Sequence, residues 1–299
     1  MSKEQLAKVD AILRRPRPEG QRSPEELRAG FRALMAQMIV PDDIRTTETA
    51  LGGRPALHVE PDVGERPGTI LYFHGGGFVF GSPRTALSLT GQLVSRTGFA
   101  SYSVDYRLAP EHPFPAGLED NLSAYRALLD SGLDPSAIAF AGDSAGGGFA
   151  ITTALAARDA GLPLPAAIVV FSPGVDSTRT GESMTTKEGI DPIFTKAALE
   201  HTGAMYLAGQ DPAQPLLSPA VSADLTDFPP LLIQVGANEV LLDDSTRLAA
   251  RAQKAGVNVI LDVTADAPHV FQCFAGTLDE ADQALDRAAH FLTQHLSRV

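Results

Sequence analysis

The sequence has a single cysteine, Cys273, and no tryptophan. A lone cysteine excludes an internal disulfide and suits a reducing compartment. Without tryptophan, any apolar pocket is left to Phe, Leu, Met and Tyr to line. No apolar run approaches the roughly 20 residues that a membrane-spanning helix requires. The opening stretch MSKEQLAKVDAILRRPRPEG lacks the unbroken apolar core and small-residue cleavage site of a signal peptide. These absences set the expectation of a cytoplasmic protein that makes no use of a membrane. Basic residues are also short, 24 Lys and Arg against 36 Asp and Glu, a net charge of −12. Such a surface repels phosphate backbones, which argues against nucleic acid as a partner. There is no H-E-x-x-H motif, no paired Cys/His spacing and no glycine pattern that opens a nucleotide site, so neither metal nor cofactor is expected.

What is present is a chain of 299 residues, 44% hydrophobic and 20% charged, enough for one large α/β domain with or without a lid. Two amphipathic helical patterns open it, near residues 3–14 and 24–38, joined by a linker over 16–22. Ser23-Pro24-Glu25-Glu26 reads as an N-cap, a proline at the first helical position and acids at the positive end of the dipole. Leu27, Phe31, Leu34, Met35 and Met38 recur at helical spacing. That stripe suits ordinary core packing, or a lid over a pocket. From residue 43 the pattern turns to strands, with an early pair at 44–50 and 55–60 around Gly52-Gly53. Apolar strands at 69–73, 100–104, 138–141, 167–171, 231–235 and 257–263 then alternate with helices at 84–97, 117–130, 145–160, 243–255 and 278–296. Continuous apolar strands between helices imply a mostly parallel sheet covered on both faces, with ligands at the carboxyl ends of its strands. Residues 173–228 break the rhythm, rich in Thr, Ser, Pro and Gly with one helix near 196–208. Following a strand's carboxyl end, this excursion stands over the active-site edge.

Gly142-Asp143-Ser144-Ala145-Gly146 is a G-x-S-x-G sequence, which chance alone supplies about once in ten chains of this length. Its context makes it specific. An apolar strand leads in and an Ala-rich helix leads out, the strand–turn–helix of a nucleophile elbow. The competing reading is a glycine-rich turn with a capping serine. A second motif, His74-Gly75-Gly76-Gly77-Phe78, follows the strand at 69–73. Acyl transfer needs backbone N–H groups aimed at the developing oxyanion, and glycines expose them. Gly76, Gly77 and Ala145 are the expected donors, Gly75 the alternate, and His74 a brace for the loop.

The HGGGF loop, Asp105-Tyr106-Arg107-Leu108-Ala109-Pro110-Glu111 and GDSAGG together resemble the hormone-sensitive-lipase-like esterases of the α/β-hydrolase superfamily. The resemblance runs from about residue 68 to the C-terminus. It implies an α/β-hydrolase fold with a mostly parallel central sheet, helices on both faces and a helical cap. Residues 1–42 would supply the N-terminal cap helices, and 43–299 the core, with a cap insertion at about 176–226. It further implies short-to-medium acyl esters as substrates, no need of a lipid interface, and a homodimer. The Tyr106–Glu111 segment carries no evident chemistry of its own and reads as scaffolding, with Pro110, Pro113 and Pro115 fixing an irregular path.

A serine needs a base and an orienting acid, in the chain order Ser, acid, His for this fold. After Ser144 come His201 in the lid helix, His290 and His295 in the terminal helix, and His269 in a loop at a strand's carboxyl end. His269 is the base. The family carries an aspartate in a D-x-L-x-D pattern, but Asn238-Glu239-Val240-Leu241-Leu242-Asp243 places Glu239 there. Asp243 and Asp244 are its rivals, and a helix-terminal charge is Glu239's structural alternative. Phe31, Phe78, Phe80 and Met205 are candidates to line the substrate pocket or to pack the core. Cys273 reads as buried and inert. The expected function is therefore a serine carboxylesterase. Lactone or amide hydrolysis would use the same triad, and a non-catalytic relative that binds a small ligand is the alternative of another class.

Overall fold

In β3 (Arg66–Phe73), the alternation of side chains decides everything that follows. Ile70 and Tyr72 enter one core cluster, Leu71 and Phe73 the other. A strand buried on both faces must sit inside a covered sheet, and each fully buried Leu, Ile or Phe contributes about 1.5–3 kcal/mol. The same split holds in β5 (Ile138–Asp143) and β6 (Ala167–Phe171). The computed structural model describes residues 2–15 and 22–296. The linker expected over 16–22 lies, Arg22 apart, outside the described residues.

Among the described residues the sheet has eight strands, in the order β1-β2-β4-β3-β5-β6-β7-β8. The others are β1 (Ile44–Leu51), β2 (Arg54–Pro61), β4 (Phe99–Val104), β7 (Leu231–Gly236) and β8 (Val259–Thr264). β2 runs antiparallel to both β1 and β4, and every other pair is parallel. Each strand expected from the sequence is present, and the α/β-hydrolase architecture stands. α3 (Leu87–Thr97) and α10 (Asp279–Leu296) cover one face, and α4 (Ala116–Asp130), α5 (Ala145–Asp159) and α9 (Leu242–Lys254) cover the other.

α1 (Lys3–Leu13) and α2 (Pro24–Met35) precede the sheet. α2 starts where the sequence says: Ser23 Oγ accepts the Glu26 N–H at 3.3 Å, and Glu26 accepts the Ser23 N–H at 2.8 Å. It stops at Met35, earlier than the apolar stripe suggests, because 36–38 form a turn. The helix expected from residue 84 starts at Leu87, after a turn in which Ser82 and Thr85 bond each other. Between β6 and β7 lie α6 (Ser183–Thr186), α7 (Lys196–Leu207) and α8 (Pro219–Ser222), the excursion read from the sequence. Among the described residues no helix is long and apolar enough to cross a membrane.

Candidate active site

The turn from β5 into α5 leaves no room for side chains at its glycines. A Cβ on Gly146 would sit 1.9 Å from the Phe73 carbonyl oxygen, and one on Gly142 would sit 2.5 Å from that of Gly146. Both positions are therefore closed to every other residue. Ser144 between them is held at φ 53°, ψ −120°, a conformation L side chains rarely adopt. Its N–H donates to the Phe171 carbonyl at 2.8 Å, which fixes the turn to the neighbouring strand.

His269 follows β8 by a short loop, and Glu239 follows β7. The Ser144 hydroxyl lies 2.9 Å from His269 Nε2, and Glu239 Oε2 lies 2.7 Å from Nδ1. A carboxylate only accepts, so Nδ1 carries the hydrogen and Nε2 is left to accept from serine. All three residues are buried. Burial disfavours the charged imidazole, but Glu239, with Asp191 and Asp143 behind it, outweighs burial and raises the His269 pKa above its usual 6.5. The other oxygen of Glu239 accepts from the Gly236 N–H at 2.7 Å and from Ser172 Oγ at 2.8 Å. Ser172 Oγ in turn accepts the Val270 N–H at 3.0 Å. Glutamate's extra methylene is thus taken up by a fitted cradle at the ends of β6 and β7.

The rival acids are occupied elsewhere. Asp243 accepts the Ser183 N–H at 2.9 Å, and Asp244 accepts those of Val175 and Asp176 at 2.8 Å each. Both tie down the insertion after β6. His201 lies on α7, and His290 and His295 on α10.

In the HGGG loop, Gly75 is excluded as a free donor because its N–H is bound by Asp143 Oδ1 at 3.0 Å. Asp143 also accepts from the Tyr72 hydroxyl at 2.9 Å. Burial pushes its carboxyl up to about 6, against the pull of these two donors. Gly76 and Gly77 border the same cavity as Ser144 and His269. Ala145 opens α5, where the first N–H groups have no intrahelical acceptor.

His74 braces the loop as expected. Burial lowers its pKa to about 4, so the ring is neutral, with Nδ1 2.9 Å from the Gly75 carbonyl. The partner that the sequence did not reveal is Tyr106. Its ring stacks on His74 with centroids 4.0 Å apart, and its hydroxyl donates to the His74 carbonyl at 2.5 Å. Three residues on, the Ala109 N–H donates to the Phe78 carbonyl at 2.9 Å. Arg28 of α2 binds the Val79 and Ala109 carbonyls and both oxygens of Glu111. The Tyr106–Glu111 segment is therefore the frame of the glycine loop. Replacing Tyr106 by Phe leaves a buried carbonyl unpaired, and a urea melt should show a loss of about 1–3 kcal/mol.

A cavity of about 530 Å³ opens over the triad. α1 and α2 contribute Leu13, Leu27, Phe31, Leu34 and Met35, and Ile193, Phe194 and Phe274 also line it. Phe31 and Phe80 line it as expected, their ring centroids 5.0 Å apart. Phe78 and Met205 do not. Phe78 stacks on Tyr206 at 3.9 Å, and both Phe78 and Met205 are partly buried side chains packed against the core cluster that includes α5. Cys273 borders the cavity and is half-buried, with burial pushing its thiol well above the usual range.

Residues 70–273 match the family described as the alpha/beta hydrolase fold. An acetyl-hydrolase of Streptomyces hygroscopicus is 44% identical over 224 residues, 75% of each chain. A carboxylesterase of Mycobacterium tuberculosis, NlhH, is 31% identical over 287 residues, 91% of this chain and 89% of its own. The crystal structure of an esterase from the bacterial hormone-sensitive lipase family superposes with a TM-score of 0.95 at 41% identity, covering 99% of this chain and 100% of its own. With the elbow, the glycine loop and the Ser–His–Glu geometry in place, the chain belongs to the hormone-sensitive-lipase-like esterases of the α/β-hydrolase fold.

Proposed function

We propose that the chain hydrolyses carboxylic esters with short-to-medium acyl chains through an acyl-enzyme on Ser144. The observation that carries this is the hydrogen-bonded line from Ser144 through His269 to Glu239, opening into an apolar cavity. His269 Nε2 takes the serine proton as Oγ attacks the ester carbonyl. The oxyanion is met by the N–H groups of Gly76, Gly77 and Ala145. Glu239 stabilises the imidazolium, which hands its proton to the departing alcohol. Water, deprotonated by the same nitrogen, then releases the acid. Kinship with an acetyl-hydrolase and a carboxylesterase supports this substrate class. A series of p-nitrophenyl esters from acetate to laurate tests it. The highest kcat/KM should fall among the short and medium chains, and a maximum at laurate would refute the assignment.

The pH profile follows from the site. His269 must be neutral to act, and its pKa is raised above 6.5 by Glu239 against the effect of burial. The rate should therefore fall with decreasing pH, through a midpoint above the unperturbed value of about 6.5. A kcat/KM profile from pH 5 to 9 reads it directly.

Residues 1–42 and the insertion at about 176–226 serve as the cap over this cavity, and the lone cysteine favours a cytoplasmic setting. The partner is a small ester. β8 ends the sheet with Ile260, Leu261 and Val263 exposed, which favours pairing of two copies into a homodimer. Sedimentation equilibrium should return twice the chain mass.

A further inference from the structure

Asp191 lies in the insertion after β6, 6% exposed, and no step above uses it. One of its oxygens accepts the N–H groups of Ile193 at 2.7 Å and Phe194 at 2.9 Å. The other accepts the N–H of Val240, the residue after Glu239, at 2.9 Å. An ordinary turn-capping role accounts for the first pair of bonds. It does not account for the third, which reaches another segment of the chain. The two segments joined in this way both bear on His269. One lays the Phe194 ring edge-on to the imidazole, centroids 4.8 Å apart at 73°, and the other carries Glu239.

We propose that Asp191 is a positioning residue of the triad, locking the insertion to the acid loop and holding a second negative charge toward His269. Burying a carboxylate is costly unless it is fully hydrogen-bonded, and the three N–H donors meet that cost. The charged groups that face the imidazole are Glu239 from the loop after β7, Asp191 from the insertion and Asp143 from the end of β5. All three favour the imidazolium that forms when Ser144 gives up its proton. Asp191 is the member that also depends on the insertion being docked.

The inference rests on Ser144 and His269 acting as described, so the test reads both. Asp191→Asn keeps the size and loses the charge, and Asp191→Glu keeps the charge and loses the fit. On the full chain, kcat/KM for p-nitrophenyl butyrate and the rate of Ser144 phosphonylation are followed against pH. In Asp191→Asn the acid limb should move about half a pH unit lower, and kcat should fall about tenfold, by more than KM rises. In Asp191→Glu the limb should stay at the wild-type pH while the rate falls. A limb in Asp191→Asn that coincides with the wild type overturns the proposal. If Asp191→Asn is unfolded by circular dichroism, a displaced limb in Asp191→Glu overturns it instead. A wild type that is inactive and unlabelled refutes the hydrolase reading, a separate outcome.

Discussion

Ser144→Ala should lower kcat on p-nitrophenyl butyrate by about 10⁴-fold or more, leaving only what the oxyanion donors and the cavity supply. The variant keeps the Cβ and hence the φ 53° turn between Gly142 and Gly146. It also leaves His269 on Glu239, since that bond does not involve the serine. The loss should therefore appear in kcat with the fold intact, as seen in the melt. A residual rate within tenfold of the wild type would mean that another group performs the chemistry. Cys273 borders the same cavity, but its thiol is held protonated by burial, so it is a poor substitute.

Glu239→Gln should cost nearly as much, about 10⁴-fold in kcat, for a reason of tautomer rather than distance. One oxygen of Glu239 is fixed by two donors, the Gly236 N–H and the Ser172 hydroxyl. Glutamine must keep its oxygen there, so its NH₂ falls at the position facing His269 Nδ1. That nitrogen then has to accept, its partner Nε2 carries the hydrogen, and the imidazole can no longer take the serine proton. Asp244→Asn provides the contrast. Its carboxylate holds the Val175 and Asp176 N–H groups rather than the histidine. It should lower stability while leaving kcat within a few-fold of the wild type. Steady-state kinetics on the two variants side by side measures the difference.

The parts of this site that lie within one stretch of chain were legible in the sequence. The elbow needs an apolar strand, two small residues and a helix in immediate succession, and 138–159 spells them out. Chain order and a place just after a strand single out His269, and the D-x-L-x-D pattern implied by the family resemblance points to Glu239. Residues that act across the fold were not legible. Ser172 is an ordinary serine until β6 and β7 are set side by side and its hydroxyl meets Glu239. Tyr106 sat in a segment whose prolines announced an irregular path, yet nothing local says that its hydroxyl reaches His74. Phe78 and Met205 show the converse case, where local sequence leaves two readings open. An aromatic beside the glycine loop and a methionine on the cap helix suit a pocket wall as well as packing, and Phe78, at φ 65°, stacks on Tyr206 instead of bordering the cavity. Which way a side chain points at a turn is set by backbone dihedrals that composition does not encode.

One serine, poised by one histidine, is expected to form the covalent intermediate. The most direct measurement is mass spectrometry of the full chain after reaction with a fluorophosphonate, followed by peptide mapping. One adduct per chain is expected, on Ser144, forming more slowly as the pH falls through the His269 limb. An adduct on another residue, or an unlabelled and fully active enzyme, would contradict it.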